Sequence, residues 1–244
     1  MRKILLIIAM LPLLAHAQGS DFGIWTSLGA TKKLDKKWTV GLEAELRNRN
    51  DSKTISRWTG EVSASYKIQP WLKASAAYKL IDDNNREKIT YHTDGSENNW
   101  RPSYWGLKHR VSLSLTGSVD LGGWSLSLRE RWQYTYRPEK VTSRYDFDNE
   151  WWEKTTVKGK GKNVLRSRLQ VEYNIPKCKI DPFAHVELFN AWNIQKVRYT
   201  LGADWKLQKR HVVTAFYRYQ DVNGDDDDND PDSHILGLGY TYKF

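Results

Sequence analysis

The chain has 244 residues, of which 38 are basic and 29 acidic, and its formal charge at pH 7 is +9. The excess of Lys and Arg over Asp and Glu is modest enough to reflect a basic surface and interior. No nucleic-acid partner is therefore expected. The single cysteine, Cys178, excludes an intramolecular disulfide, because disulfide frameworks need an even number of cysteines.

The first residues have the features of a secretory signal peptide. Two basic residues precede an apolar run at 4–14, and the sequence AHA at 15–17 gives the small-x-small pattern that signal peptidase cleaves. The apolar run is shorter than the roughly 20 residues that a membrane-spanning helix needs. We therefore expect residues 1–17 to be removed and residues 18–244 to form a single domain.

From residue 21 onward, apolar and polar residues alternate with a period of two. The clearest segment is 124–137, where Trp, Leu and Tyr fall on one face and Ser, Arg, Gln and Thr on the other. This period indicates β-strands with one apolar and one polar face. Eleven segments alternate in this way, and they begin near Asp21, Trp38, Ser56, Trp71, Trp105, Trp124, Asn163, Ile180, Val197, His211 and His234.

The connections between these segments alternate between short and long. The short connections are 34–37, 69–70, 120–123, 176–179 and 208–210, and the long ones are 48–54, 82–103, 138–162, 190–196 and 221–233. Two of the long connections exceed 20 residues, which is uncommon inside a compact soluble domain. Short turns at one end and long loops at the other are typical of outer-membrane β-barrels.

The sequence therefore predicts an all-β fold: a transmembrane antiparallel up-and-down β-barrel of 10–12 strands, following a cleaved signal peptide. The expected location is the outer membrane of a Gram-negative bacterium, with the barrel a monomer in contact with outer-membrane lipid. Because bacterial single-chain barrels have even strand numbers, a count of eleven is expected to be wrong by one. Either segment 21–31 is not a full wall strand, or one strand has been missed.

The last alternating run, 236–244, ends on the aromatic residue Phe244. This ending resembles the closing strand of bacterial outer-membrane barrels, in which the terminal aromatic and the alternate apolar residues before it are recognised by the insertion machinery. The resemblance implies that machinery as a partner.

The polar faces of the predicted strands carry many charges of both signs. The candidate lumen-lining residues are Arg129, Arg131, Arg166, Arg168, Glu43, Glu45 and Glu187. A barrel of 10–12 strands is intermediate between barrels of about 8 strands, which side chains fill, and those of 16–18 strands, which hold a channel. The simpler interpretation is a structural plug of ion pairs and water. The alternative is a narrow, selective pore, suggested by two arginine pairs on adjacent strands.

Two further patterns contain residue types that occur in metal-binding or catalytic sites. The acidic loop at 221–232 has oxygen ligands that suit Ca²⁺, but it lacks the terminal glutamate of an EF-hand, and a solvated acidic loop is the simpler interpretation. His109, Glu130 and Ser167 fall on the outward face of consecutive strands. Because Glu130 lies on the middle strand, His109 and Ser167 are expected to be roughly 10 Å apart, too far for proton transfer. No catalytic, metal-binding or cofactor-binding residues and no cofactor are predicted.

The predicted function is therefore non-enzymatic: a narrow pore for small solutes, a binder of small solutes, or a structural or surface component. The alternatives are a lipid-active outer-membrane enzyme, or a receptor or adhesin that acts through the outer loops at 82–103 and 138–162. The aromatic side chains of the second loop suit stacking on a sugar or peptide ligand, but such residues more often pack the loop onto itself or lie at the membrane interface. They are Tyr145, Phe147, Trp151 and Trp152.

Several short segments carry a resemblance to a known family. They are DFGIW at 21–25, LDKKW at 34–38, LEAELR at 42–47, RER at 129–131, RSR at 166–168 and AHVELFN at 184–190. Together they resemble the family called domain of unknown function 2490, and the similarity runs over roughly 21–244. The resemblance implies a small outer-membrane β-barrel, mainly of Bacteroidetes, and it brings no activity and no functional residues to carry over.

Overall fold

The chain forms fifteen β-strands over the residues that the structure, a computed structural model, describes: 20–208, 210–223 and 231–244. The predicted signal peptide at 1–17 and the central part of the acidic loop, 224–230, lie outside the described residues. The strands are β1 (Asp21–Lys33), β2 (Trp38–Arg49), β3 (Thr54–Gln69), β4 (Leu72–Asn85), β5 (Lys88–Tyr91), β6 (Glu97–Arg101), β7 (Tyr104–Leu121), β8 (Trp124–Arg137), β9 (Lys140–Asp146), β10 (Trp151–Val157), β11 (Lys160–Tyr173), β12 (Ile180–Ala191), β13 (Asn193–Gln208), β14 (His211–Val222) and β15 (Ser233–Lys243). No helix among the described residues is long and apolar enough to cross a membrane.

Eleven strands close into a barrel in the order β1-β15-β14-β13-β12-β11-β8-β7-β4-β3-β2. Neighbouring strands are antiparallel except β1 and β15, which pair in parallel from Asp21 opposite Ser233 to Thr31 opposite Lys243. An odd number of strands closes because the first and last strands run in the same direction and still exchange backbone hydrogen bonds. The expectation that eleven was wrong by one is therefore incorrect, and segment 21–31 is a full wall strand.

The alternation of the sequence places apolar side chains on the outside of the barrel and polar ones in its lumen. On β8, Trp124, Leu128, Trp132 and Tyr136 are exposed on the outer face, whereas Gln133 is buried in the lumen. This is the arrangement that a period of two dictates when a sheet closes on itself. The predicted all-β barrel is confirmed.

The two longest connections, 82–103 and 138–162, contain a second sheet of four strands in the order β10-β9-β6-β5. Trp100 lies opposite Tyr145, and Tyr145 lies opposite Trp152. The ring centroids of Trp100 and Trp152 are 5.5 Å apart, as are those of Tyr145 and Trp152. Aromatic cross-strand pairs stabilise a sheet, so strands form in segments whose polar composition had indicated only loops.

The turn between β1 and β2 is held by Asp35. Its Oδ1 accepts hydrogen bonds from the backbone N–H groups of Trp38 and Lys37, both at 2.6 Å, and these bonds, that of Trp38 first, lower the pKa of Asp35 below its ordinary value of 3.8. A carboxylate whose pKa is depressed on folding contributes stability above its unfolded-state pKa, and the contribution is lost as the pH falls through the folded-state pKa. We expect Asp35→Asn to lose less stability than the wild type between pH 7 and pH 3, measured as the shift of the urea unfolding midpoint. An identical shift in the two proteins would contradict this assignment.

Candidate functional site

Three cavities follow one another inside the barrel, from the end that carries the long connections (the loop end) to the end that carries the short turns (the turn end). Their volumes are about 610 Å³ at the loop end, 250 Å³ at mid-barrel and 300 Å³ at the turn end. The loop-end and mid-barrel cavities share Trp25, Arg47 and Arg198 in their linings. The mid-barrel and turn-end cavities share Arg168 and Arg218. The lumen is therefore a column of adjoining cavities.

The wall of the mid-barrel cavity is strongly basic. Its basic lining residues are Arg47, Arg57, Lys79, Lys108, Arg110, Arg129, Arg131, Arg137, Lys160, Lys162, Arg166, Arg168, Lys196, Arg198 and Arg218. Its acidic lining residues are Glu45, Glu61 and Glu187. A cleft lined mainly by one sign of charge, with walls of low dielectric constant, concentrates ions of the opposite sign. The described lining therefore favours anions.

The charges are distributed unevenly around the barrel. The lumen-facing acidic side chains of β2, β3 and β4 each have a basic partner. The ion pairs on this wall are Lys79–Glu61 at 3.1 Å, Lys79–Glu43 at 3.7 Å, Arg47–Glu45 at 2.6 Å, Lys108–Asp83 at 2.7 Å and Arg57–Asp83. This wall is largely neutralised by its own pairs, so the net positive charge comes mainly from the opposite wall.

The opposite wall contains the arginine pairs of β8 and β11. The register places Arg131 opposite Arg166 and Arg129 opposite Arg168. Like charges directly opposite each other across two strands are destabilising unless a counter-charge lies nearby. Six of the seven charged residues singled out from the sequence line the mid-barrel cavity; Glu43 is not among its lining residues.

Glu187 on β12 supplies the counter-charge to part of this wall. Its side chain is buried, its Oε1 lies 2.5 Å from Nη2 of Arg129, and its Oε2 lies 2.8 Å from Nη2 of Arg166. The register also places Glu187 opposite Arg168 on one side and Arg198 on the other. One carboxylate is therefore surrounded by four guanidinium groups.

Four arginines of the wall form no ion pair within the described chain. Arg131 donates from Nε to Ser114 Oγ at 2.9 Å, Arg198 to Gln220 Oε1 at 2.8 Å, and Arg218 to Thr200 Oγ1 at 2.9 Å, all uncharged acceptors. The fourth is Arg168, whose buried Nε has no hydrogen-bond partner in the described chain. These four residues contribute part of the excess positive charge of the lining.

Aromatic rings inside the lumen hold several of the guanidinium groups in place. The guanidinium carbon of Arg47 is 3.7 Å from the centre of the Trp25 ring, and that of Arg198 is 5.1 Å from the same ring and 4.6 Å from Phe189. Arg218 stacks on Phe216 at 4.7 Å. A cation over an aromatic face is stabilised without being neutralised. The aromatic rings therefore hold these guanidinium groups in position without neutralising their positive charge.

Sequence reasoning missed three lysines of this wall, Lys160, Lys162 and Lys196. It began β11 near Asn163 and β13 near Val197, whereas β11 begins at Lys160 and β13 at Asn193. A signal for them was present, because each lysine continues the alternation backward from an inward-facing arginine of its own strand. Lysine is common both in polar loops and on the lumen-facing side of barrel strands, so residue type alone does not place these three lysines.

The outward-facing polar residues do not form a catalytic arrangement. Ser167 lies opposite Glu130 and donates to its Oε2 at 2.7 Å. His109 lies opposite Tyr136, and its Nδ1 is 2.6 Å from the hydroxyl of Tyr78. His109 therefore contacts neither Ser167 nor Glu130.

In the part of the chain that the structure describes, no group of three or more His, Cys, Asp or Glu is placed to hold a metal ion. Cys178 is an exposed free thiol.

Comparisons with known proteins give a family and a fold. The model of the family described as "Protein of unknown function (DUF2490)" matches residues 22–230. The beta domain of the Bordetella autotransporter Brka is 15% identical over 83% of this chain and 79% of its own, with a TM-score of 0.51. The NanC porin is 13% identical over 93% and 100% of the two chains, with a TM-score of 0.49. The translocator domain of the autotransporter NalP from Neisseria meningitidis is 14% identical over 88% and 77%, with a TM-score of 0.49. No curated protein sequence matches the chain.

Proposed function

We propose that this chain, which belongs to the DUF2490 family of proteins of unknown function, forms a narrow passage for small anionic solutes through the outer membrane of a Gram-negative bacterium. The observation that carries the proposal is the lining of the mid-barrel cavity, where fifteen basic side chains face three acidic ones among the described residues. The family description assigns no activity, so the proposal rests on the geometry and charge of the lumen.

The outer face of the barrel supports a membrane location. Leu28, Leu42 and Leu128 are each more than half exposed, and many other large apolar side chains share this face. Burying a side chain of this size contributes about 1.5–3 kcal/mol, so a face of this kind is unfavourable in water and favourable in lipid. The autotransporter beta domain with the same fold supports a barrel of the outer-membrane class.

Exposed aromatic residues border this apolar face at both ends. At the turn end are Trp38, Trp71 and Trp124, and towards the loop end are Trp58 and Tyr136. Outer-membrane barrels carry girdles of aromatic residues at the two membrane interfaces. The presence of such rings at both ends of the apolar face supports a barrel that spans a bilayer.

A passage is favoured over a plug of ion pairs because the ion pairs occupy mainly one wall. Those on β2, β3 and β4 neutralise their own side, while Arg131, Arg168, Arg198 and Arg218 form no ion pair in the described chain. The three adjoining cavities leave space beside these charges. If the charged side chains in the lumen served only to stabilise a plug, we would expect the numbers of positive and negative groups to be more nearly equal.

The test is electrical recording of the purified, refolded barrel in a planar lipid bilayer. We expect discrete conductance steps, because a column of adjoining cavities lined by charge lets hydrated ions pass. Folding is checked first by the heat-dependent mobility of the barrel on gels, and detergent without protein serves as the control. If protein that is shown to be folded gives no conductance steps, the proposal of a passage is wrong.

A further inference from the structure

Four arginines that line the mid-barrel cavity form no ion pair in the described chain, and two of them, Arg131 and Arg168, lie on the adjacent strands β8 and β11. Arg131 uses Nε for Ser114, at 2.9 Å, and forms no ion pair in the described chain. Arg168 forms no ion pair there either, and its Nε has no hydrogen-bond partner in the described chain although it is buried. A buried guanidinium without its acceptors is costly, since each of its five N–H donors requires one. Both groups line the same 250 Å³ cavity.

The neighbouring Arg129 and Arg166 differ from this pair because each has an acidic partner, although the Nε of each also lacks a hydrogen-bond partner in the described chain. Arg129 and Arg166 both bind the carboxylate of Glu187, at 2.5 Å and 2.8 Å. The register places Arg131 opposite Arg166 and Arg168 opposite Arg129, so Arg131 and Arg168 are diagonal neighbours on two strands. Arg129 and Arg166 are the other diagonal pair and share one internal carboxylate, whereas Arg131 and Arg168 have no acidic partner in the described chain. A ligand with one carboxylate for each arginine supplies both missing partners.

The volume of the mid-barrel cavity sets the size of a ligand that it can hold without extending into the adjoining cavities. A water molecule occupies about 30 Å³ of the liquid, so a cavity of 250 Å³ holds roughly eight non-hydrogen atoms. Guanidinium groups bind carboxylates through two parallel N–H···O bonds, which a planar carboxylate accepts with the correct geometry. A short dicarboxylate has this number of atoms and one carboxylate for each arginine.

We infer that Arg131 and Arg168 form a binding site for small organic dicarboxylates within the lumen. The inference deepens the proposed function and rests on it, because a solute reaches these residues only by entering the barrel. The dicarboxylate supplies the counter-charges that the described chain does not provide, while Glu187 holds the neighbouring arginines out of its way.

The test is calorimetric titration of the refolded full-length mature barrel in detergent with three probes. Succinate has two carboxylates and eight non-hydrogen atoms, succinamide has the same size and no charge, and inorganic phosphate has a single anionic centre. We expect a saturable heat with succinate, none with succinamide, and at least about tenfold weaker binding of phosphate, because charge-assisted hydrogen bonds to a second group are lost. Binding of succinamide or phosphate as tight as that of succinate would overturn the inference.

Variants locate the site. Arg131→Gln and Arg168→Gln should each weaken succinate binding at least about tenfold, since each removes one charge-assisted contact. Lys53→Gln removes the same charge from an exposed turn, where Lys53 is 79% exposed, and should leave binding unchanged. Unchanged affinity in both arginine variants, or an equal loss in all three variants, would overturn the assignment.

Succinate binding and ion conduction are measured independently, so either one can be absent while the other is observed. Conductance steps in chloride without any succinate heat would overturn this site and leave the passage intact. Succinate heat that depends on Arg131 and Arg168, from a barrel that conducts no ions, would support the site and overturn the passage. The two readouts therefore distinguish a failed ligand assignment from a failed function.

Discussion

Replacing Glu187 with glutamine is expected to lower the free energy of unfolding of the barrel by about 3–5 kcal/mol, the range seen when one partner of a buried ion pair is removed. Glu187 is only 3% exposed and its carboxylate binds Arg129 and Arg166 at once. The register adds Arg168 and Arg198 on either side. Glutamine preserves the shape of the side chain but leaves Arg129 and Arg166 without their shared counter-charge, and it removes the negative charge nearest to Arg168 and Arg198 in the register.

The measurement is urea unfolding in lipid vesicles, followed by tryptophan fluorescence. Glu172→Gln is the matched control, because Glu172 is on the adjacent strand β11 and forms no ion pair in the described chain. We expect the control to change the unfolding free energy by less than about 1 kcal/mol, as is usual for an unpaired polar site. Equal losses in the two variants would show that Glu187 has no special role in holding the arginine wall together.

Replacing Gly237 with valine is expected to cost about 1–3 kcal/mol, because a side chain there would collide with a packed ring. Gly237 on β15 lies beneath Phe216, whose ring atoms would contact any Cβ at this position. The same row alternates glycine and aromatic residues across the sheet, with Phe183 opposite Gly202, and Gly202 opposite Phe216. The glycines therefore provide the space that the rings fill at the turn end of the lumen.

Gly117→Val is the control for this effect. Gly117 lies within β7, and a Cβ added to it would meet no atom within 4 Å. Both substitutions add the same side chain to a strand, but Gly117 lies on the outer face with Leu113 and Leu115, where no ring opposes it. Gly237→Val is therefore expected to be the more destabilising of the two. Adding Phe216→Ala to Gly237→Val should recover part of the lost stability, and equal destabilisation at the two glycines would contradict the packing described.

The alternation of the sequence predicted most of the barrel wall. The period of two in segments such as 124–137 is decisive because a closed sheet with an apolar outside and a polar inside admits only one assignment of faces. The strand count was also correct as read, and it was the rule of even numbers that misled. That rule holds for barrels that close through an antiparallel pair, whereas β1 and β15 pair in parallel.

The sheet at the loop end could not be predicted in the same way. Its strands, such as β5 at Lys88–Tyr91 and β6 at Glu97–Arg101, are short, and their pairing joins two connections that are distant in sequence. Short segments carry little periodic signal, and aromatic contacts such as Trp100 with Trp152 appear only once the two connections are brought together.

The sequence predicted many of the charged residues that line the candidate site, but not which of them form ion pairs with one another. The arginines at 129, 131, 166 and 168 were expected on adjacent strands, and β8 and β11 do pair. Which of them share Glu187 depends on the stagger between β11 and β12, and that stagger is fixed by the closure of the whole sheet. The separation of a self-paired wall from a basic wall is therefore a property of the barrel and not of any one strand.

The sign of the reversal potential in a KCl gradient reports directly which ion the lumen prefers. We expect the sign of chloride selectivity, and a shift towards zero when Arg131 and Arg168 are both replaced by glutamate, since this reverses two charges of the basic wall. A reversal potential of zero, or one with the sign of potassium selectivity in the wild-type barrel, would contradict the claim that the basic wall sets the passage of anions.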